Sequence, residues 1–368
     1  MDVQLKIFLV CIDQFLRLLM FVPFVSLYRG DLLSLYRNEN RKIWWYGVLV
    51  ILYSTFAFFS PDFYHSQEAF DKVLSTGDSL TFEPFYVWFI TNITSNYFIW
   101  RFLIWGVAIC LTFYMFKRLK INCPISVLIF ALLYVNMFAA MRGSLGFALL
   151  FLGFINLYEK KLVIKILGFV IIVLSIFFHK SIGVGIALGL GAFFKLTKRR
   201  VILLLVCMPF LIGYITHFLD LAVLGTFDDF GDDMQIGSRL KTYSEGYGNS
   251  ELNFFGYLYR FVQFVPIFFA LVVVSKKVLF KNIVLPNSIL FFYRFWFYSC
   301  YLGALFFFQE SSFWISLRII LIGYMPMIFV LSYVFQTYKM NRGYRWILLL
   351  SFISAAYLMS YGIYEVSR

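Results

Sequence analysis

Four basic side chains, Arg142, Lys180, Arg239 and Arg318, stand where the surrounding chain is otherwise poor in positive charge. An arginine presents a planar fork that binds two oxygens of a phosphate at once and stays charged in a desolvated setting. Several such groups converging could hold an anionic ligand such as a lipid diphosphate and stabilise it as a leaving group. Arg260, in FGYLYRF, joins this set. A transfer reaction also needs a proton acceptor on the same side. The candidates are Asp62, Glu68, Glu83 and Glu310, with Tyr64 and His65 close to Asp62 and His179 directly before Lys180. Each has a plainer alternative. Arg142 can snorkel to an interface, His179 can be a satisfied interfacial residue, and Arg239 and the carboxylates can be solvated loop charges. Arg318 is harder to explain that way, because it lies about a turn inside an apolar run, where a charge pairs or lines a cavity.

The elements that position these residues follow from composition. Of 368 residues, 62% are hydrophobic, 22% aromatic and only 14% charged. A soluble domain carries about a quarter of its residues as charges, so this chain is a polytopic membrane protein. Apolar runs of roughly 17–25 residues recur along it, each long enough to cross the hydrocarbon as a helix. Alternating strand patterns are absent, which excludes an outer-membrane barrel. Asp13 and Arg17 interrupt the first apolar run and no small-residue cleavage site follows, so we read no cleavable signal peptide there.

Loop charge sets the orientation. The breaks at 29–42, 117–120, 159–161, 195–200, 276–281 and 339–345 are short and basic, and the positive-inside rule places them in the cytoplasm. The intervening breaks at 61–97, 139–143, 179–181, 218–251 and 309–314 are poor in Lys and Arg and face outward. Spans are expected at 5–28, 43–60, 98–116, 121–138, 144–158, 162–178, 182–194, 201–217, 252–275, 288–308, 314–336 and 346–364. The expected fold is therefore all-α, one transmembrane domain over residues 1–368 with about 12 helices and two longer outward loops, 61–97 and 218–251. Glu83-Pro84 opens a short helix within the first loop, with Pro at a favoured early position.

Other chemistry is poorly supported. There is no phosphate-binding or dinucleotide glycine loop, no HExxH and no zinc spacing among Cys and His. DDFGDD is an acidic loop before it is a metal site, so no metal or cofactor is expected. The net charge of +13 belongs to loops facing anionic lipid, not to nucleic-acid binding. The five cysteines show no paired spacing and read as buried small residues. Aromatic residues such as Tyr64, Phe85, Tyr86, Tyr243 and Tyr247 could stack on sugars or anchor at the interface.

SPDFYHSQEAF, FEPFYVWF, MRGSLGFALLFLGFINLYEKK, FFHKSIG and SLRIILIGY, in that order, resemble the EpsG-like group of Wzy oligosaccharide repeat-unit polymerases. The matched positions are Asp62 and Tyr64, Glu83 and Pro84, Arg142, His179 and Ser181, and Arg318. Family members often carry Gln where this chain has Gly143, so that position is given no polar contact. The resemblance implies a glycosyltransferase related to the GT-C class in the bacterial cytoplasmic membrane. It would move a growing glycan from undecaprenyl diphosphate onto the non-reducing end of a lipid-linked repeat unit, without a nucleotide sugar. On that basis Asp62, Glu83 and His179 are expected to be catalytic, and Arg142, Arg318, Arg239, Arg260, Lys180 and Tyr64 to bind substrate. Lipid-linked donor and acceptor, membrane lipids and a chain-length regulator are the expected partners. A flippase of lipid-linked oligosaccharide and an O-antigen ligase are the alternatives.

Overall fold

The computed structural model describes residues 61–77, 83–121, 141–179, 181–218, 254–280, 283–307 and 313–337, with a few isolated positions between them. Every regular element among these residues is a helix. The expected spans at 5–28, 121–138 and most of 43–60 and 346–364 lie outside the described residues.

In chain order the helices are α1 Pro61–Thr76, α2 Pro84–Asn92, α3 Tyr97–Arg118, α4 Met141–Leu157, α5 Leu162–Ser175 and α6 Ile182–Phe193. They continue as α7 Lys198–Phe218, α8 Phe254–Ser275, α9 Asn287–Phe307, α10 Phe313–Ile322 and α11 Tyr324–Thr337. The local signals explain the starts. Asn96 caps α3, its Oδ1 accepting from the amides of Phe98 and Ile99 at 3.0 and 3.1 Å. Pro84 opens α2, where its missing N–H would be unpaired anyway. The first outward loop holds more helix than its polarity announced. α1 buries Ala69, Phe70 and Val73 along one face and exposes Asp71 and Lys72, the spacing of an amphipathic helix.

Helices α3 and α9 are long and apolar enough to cross a membrane, and α10 with α11 forms a third such span, bent by 42°. Exposed apolar surface tells the same story. Val163 on α5 is 77% exposed and Phe210 on α7 is 76% exposed, each amid other exposed aliphatic residues. Water would penalise such faces, whereas hydrocarbon does not. The chain is an α-helical membrane protein.

Two compact units divide the chain. The first takes residues 1–189, 286–289 and 328–368. In it α4 packs against both α3 and α5. The α4–α5 crossing is close because it is lined by glycine. A Cβ on Gly153 would lie 2.8 Å from the carbonyl oxygen of Gly168, and one on Gly168 would lie 2.8 Å from Cβ of Asn156. Small residues bring helices together where lipid offers no hydrophobic drive between them. Arg118 of α3 reaches Asn156 in the last turn of α4 at 3.2 Å and Glu159, just beyond that helix, at 2.7 Å.

The second unit takes residues 190–285 and 290–327. Here the expected single span at 314–336 is broken at Gly323. The Gly323 amide turns to Ile320 at 2.9 Å, so the carbonyl of Ile319 loses its usual helical donor. The buried Ser299 hydroxyl of α9 donates to that carbonyl at 2.5 Å. A neighbouring side chain thereby satisfies the freed backbone group, which is what permits a helix break inside hydrocarbon. Ser316 repeats the device in the other direction, donating to the carbonyl of Gly303 at 2.7 Å.

Candidate functional site

Three of the chemically marked segments meet within the first unit. Glu83 is the residue before α2, with extended backbone, and its carbonyl accepts from the amides of Tyr86 and Val87. Its side chain does not cap its own helix, as an acidic residue there commonly does. The carboxylate is instead buried, at 4% exposure, and lies 3.4 Å from Nδ1 of His179. That separation is longer than the usual hydrogen bond of about 2.7–3.2 Å and within ion-pair range.

His179 follows the 3₁₀ turn Ile176–Phe178 that ends α5, in extended conformation, and is partly buried. Its Nδ1 also lies 3.4 Å from the Ser181 hydroxyl and 3.5 Å from the Ser181 amide. An ionised carboxylate can only accept, so beside ionised Glu83 the proton of a neutral imidazole sits on Nδ1. The lone pair is then on Nε2 and the Ser181 hydroxyl is an acceptor, whereas the Ser181 amide, which can only donate, pairs with Nδ1 in the other tautomer. A carboxylate that sets the tautomer and direction of an imidazole is how many proton-transfer pairs are built.

The third segment is the first turn of α4. A Cβ on Gly143 would stand 2.7 Å from Cδ2 and 3.2 Å from Nε2 of the His179 ring. The ring therefore lies on the α4 backbone, in the turn that carries Arg142. Gly146, one turn on, faces Phe178 and Ile182 in the same way. The helix is bare of side chains where the histidine segment crosses it, which gives Gly143 a physical reason where a longer residue had been the pattern.

Aromatic rings wall this region. Phe85 packs against Phe178 with centroids 4.2 Å apart and ring planes tilted by 39°, Tyr86 meets Phe178 and Trp100 edge-on, and Phe147 lies 6.2 Å from the His179 ring. Tyr86 is fully buried, so it supports the wall and offers no face for stacking on a sugar.

Of the other expected residues, Asp62 and Tyr64 sit on the first turn of α1, Arg142 on the first turn of α4 and Arg260 on α8. For these four the backbone is described and the side chain lies outside the described residues, as do Lys180 and Arg239 entirely. Arg318 is an exposed residue of α10, in the second unit. Among the described residues no group of three His, Cys, Asp or Glu could hold a metal ion.

One buried charge escaped the sequence reading. Arg101, one turn into α3, is 2% exposed, donates to the Thr55 carbonyl at 3.0 Å and the Tyr97 hydroxyl at 3.1 Å, and stacks over the Tyr97 ring. Its depth inside an apolar run was the available signal, the same one that singled out Arg318. Its partners give it a structural task, tying residue 55 to α3.

No curated protein and no solved structure matches the chain. The family model described as "EpsG family" matches residues 44–366, which takes in every segment assembled above. With the Glu-Pro, Arg-Gly and His-Lys-Ser segments meeting in one all-helical membrane unit, the chain belongs to the EpsG family, a family of Wzy-like polymerase-type membrane proteins.

Proposed function

We propose that this protein is a repeat-unit polymerase of the O-antigen type, a glycosyltransferase of about 12 spans related to the GT-C class. It works at the outer face of the bacterial cytoplasmic membrane. A growing glycan on undecaprenyl diphosphate is the donor, and a second lipid-linked repeat unit is the acceptor. The bond between the anomeric carbon and the diphosphate oxygen breaks. A bond from the acceptor hydroxyl oxygen to that carbon forms, and undecaprenyl diphosphate leaves. Arg142 and Arg318 hold the leaving diphosphate, with Arg239, Arg260 and Lys180 as further cationic contacts and Tyr64 against the glycan. Glu83 and His179 together take the acceptor proton, His179 at Nε2 with Glu83 orienting it, and Asp62 is the other carboxylate within the site. No cofactor takes part, and a chain-length regulator is a further partner.

The observation that carries this reading is the buried Glu83 carboxylate 3.4 Å from His179, whose ring rests on Gly143 beside Arg142. The test is the surface-glycan ladder of a deletion strain complemented with variants. Loss of a polymerase leaves surface glycan with a single repeat. Loss of a ligase leaves long chains on the lipid carrier, and loss of a flippase strands repeats in the inner leaflet. Arg142→Ala and Arg318→Ala should each collapse the ladder toward one repeat; an unchanged ladder from both refutes the proposal.

A further inference from the structure

The second unit contains a groove lined by none of the residues assigned above to glycan transfer. Helices α7, α8 and α9 enclose a groove of about 620 Å³, within the range of small-molecule sites of about 300–1,000 Å³. Its walls are almost wholly apolar. It is open at a lip formed by Ile202, Leu205 and Val272, which are 55%, 54% and 65% exposed.

Charge is confined to one end. Lys198 begins α7, and Lys276 directly follows Ser275, the last residue of α8, so these two lysines line the groove where the start of one helix meets the end of the other. The Ser275 hydroxyl at the same end accepts from Tyr293 at 2.9 Å, which leaves its own proton to donate. From Lys198 the groove follows α7 to Met208. Ten helical residues rise about 15 Å, half of a hydrocarbon core of about 30 Å. The groove thus has the length of one leaflet, with its cations at the interface. On the loop-charge topology, that interface is the cytoplasmic one.

Pro209 lies inside α7 and cannot donate to the turn before it. The Tyr301 hydroxyl of α9 donates at 3.0 Å to the Leu204 carbonyl in that turn, anchoring α9 to α7 beside the groove.

We propose that this groove is a binding site for an anionic phospholipid of the cytoplasmic leaflet, with one acyl chain along α7 and the phosphate between Lys198 and Lys276. The occupant is a leaflet phospholipid because the apolar length matches one leaflet, and anionic because the one polar end of the groove carries two lysines and no acidic residue. The site is separate from the proposed transfer chemistry and does not depend on it.

The test uses the full-length protein in uncharged detergent, titrated with phosphatidylglycerol or with phosphatidylcholine of the same acyl chains, read by thermal unfolding. Phosphatidylglycerol should bind the tighter. The double variant Lys198→Gln/Lys276→Gln should weaken it roughly thirtyfold, the product of two lysines at the interface, and leave phosphatidylcholine unchanged. Val272→Trp, at the exposed lip, should weaken both lipids without lowering the unfolding temperature of the lipid-free protein. Lys160→Gln/Lys161→Gln, on another basic break, should change neither. Equal response to both lipids, a phosphatidylglycerol preference that survives the Lys198/Lys276 change, or a full response to soluble glycerol phosphate would each overturn the proposal.

Discussion

Replacing Gly143 with alanine isolates the geometry of the Glu83–His179 pair with one methyl group. The new Cβ would stand 2.7 Å from Cδ2 of His179, where ordinary contact begins at 3.4 Å, so the ring must retreat by several tenths of an ångström. The α4 backbone cannot yield easily, because Gly153 on the same helix is already pressed against α5. Movement therefore falls on the imidazole, which is bounded by Phe147 and held at 3.4 Å from Glu83. A misplacement approaching 1 Å at a reacting group lowers rates by about a hundredfold. We expect Gly143→Ala to reduce polymerisation by about 10–100-fold, equivalent to about 1.4–2.7 kcal/mol of transition-state stabilisation. Overpacking should take about 1–3 kcal/mol from stability, so the variant is assayed at matched protein level, by extension of lipid-linked repeat units in vitro. Gly106→Ala and Gly183→Ala are the controls, since a Cβ at either meets nothing within 4 Å. Both should leave the product unchanged. Wild-type extension by Gly143→Ala, or equal loss in the controls, would show that the ring position does not govern the reaction.

Further outcomes follow from individual contacts. Glu83→Gln and His179→Gln should each reduce extension by about 10²–10⁴-fold, and the double variant by little more than the worse single one, because the two act as one unit; additive losses would separate their roles. Gly153→Ala, whose Cβ would meet Ile172 and the Gly168 carbonyl, should lower the detergent unfolding temperature through about 1–3 kcal/mol of overpacking. Asn96→Ala removes the acceptor for two α3 amides and should destabilise the protein by about 1 kcal/mol, with extension by the folded fraction retained.

Much of the helical framework was legible in the sequence because each span is a local signal. The expected spans at 98–116 and 288–308 appear as α3 and α9, and a shorter apolar helix, α5 with its 3₁₀ turn, stands where a span at 162–178 was expected. Glu83-Pro84 likewise announced α2. The bend at Gly323 was not legible, because it depends on Ser299 supplying a hydrogen bond from another helix. Helix α1 was hidden for a different reason: its polarity marked it as loop, and only three buried positions on one face set it apart.

The sequence by itself determined the class of molecule, the helices and which residues were chemically unusual, since hydropathy, caps and charge placement are written within a few turns of chain. Only the tertiary structure decided that Glu83 pairs with His179, that Gly143 bares α4 for the imidazole, and that two lysines close one end of an apolar groove. The physical reason lies in the membrane setting. Lipid is as apolar as the helices, so hydropathy cannot say which faces meet, and small residues and side-chain shape choose the partners.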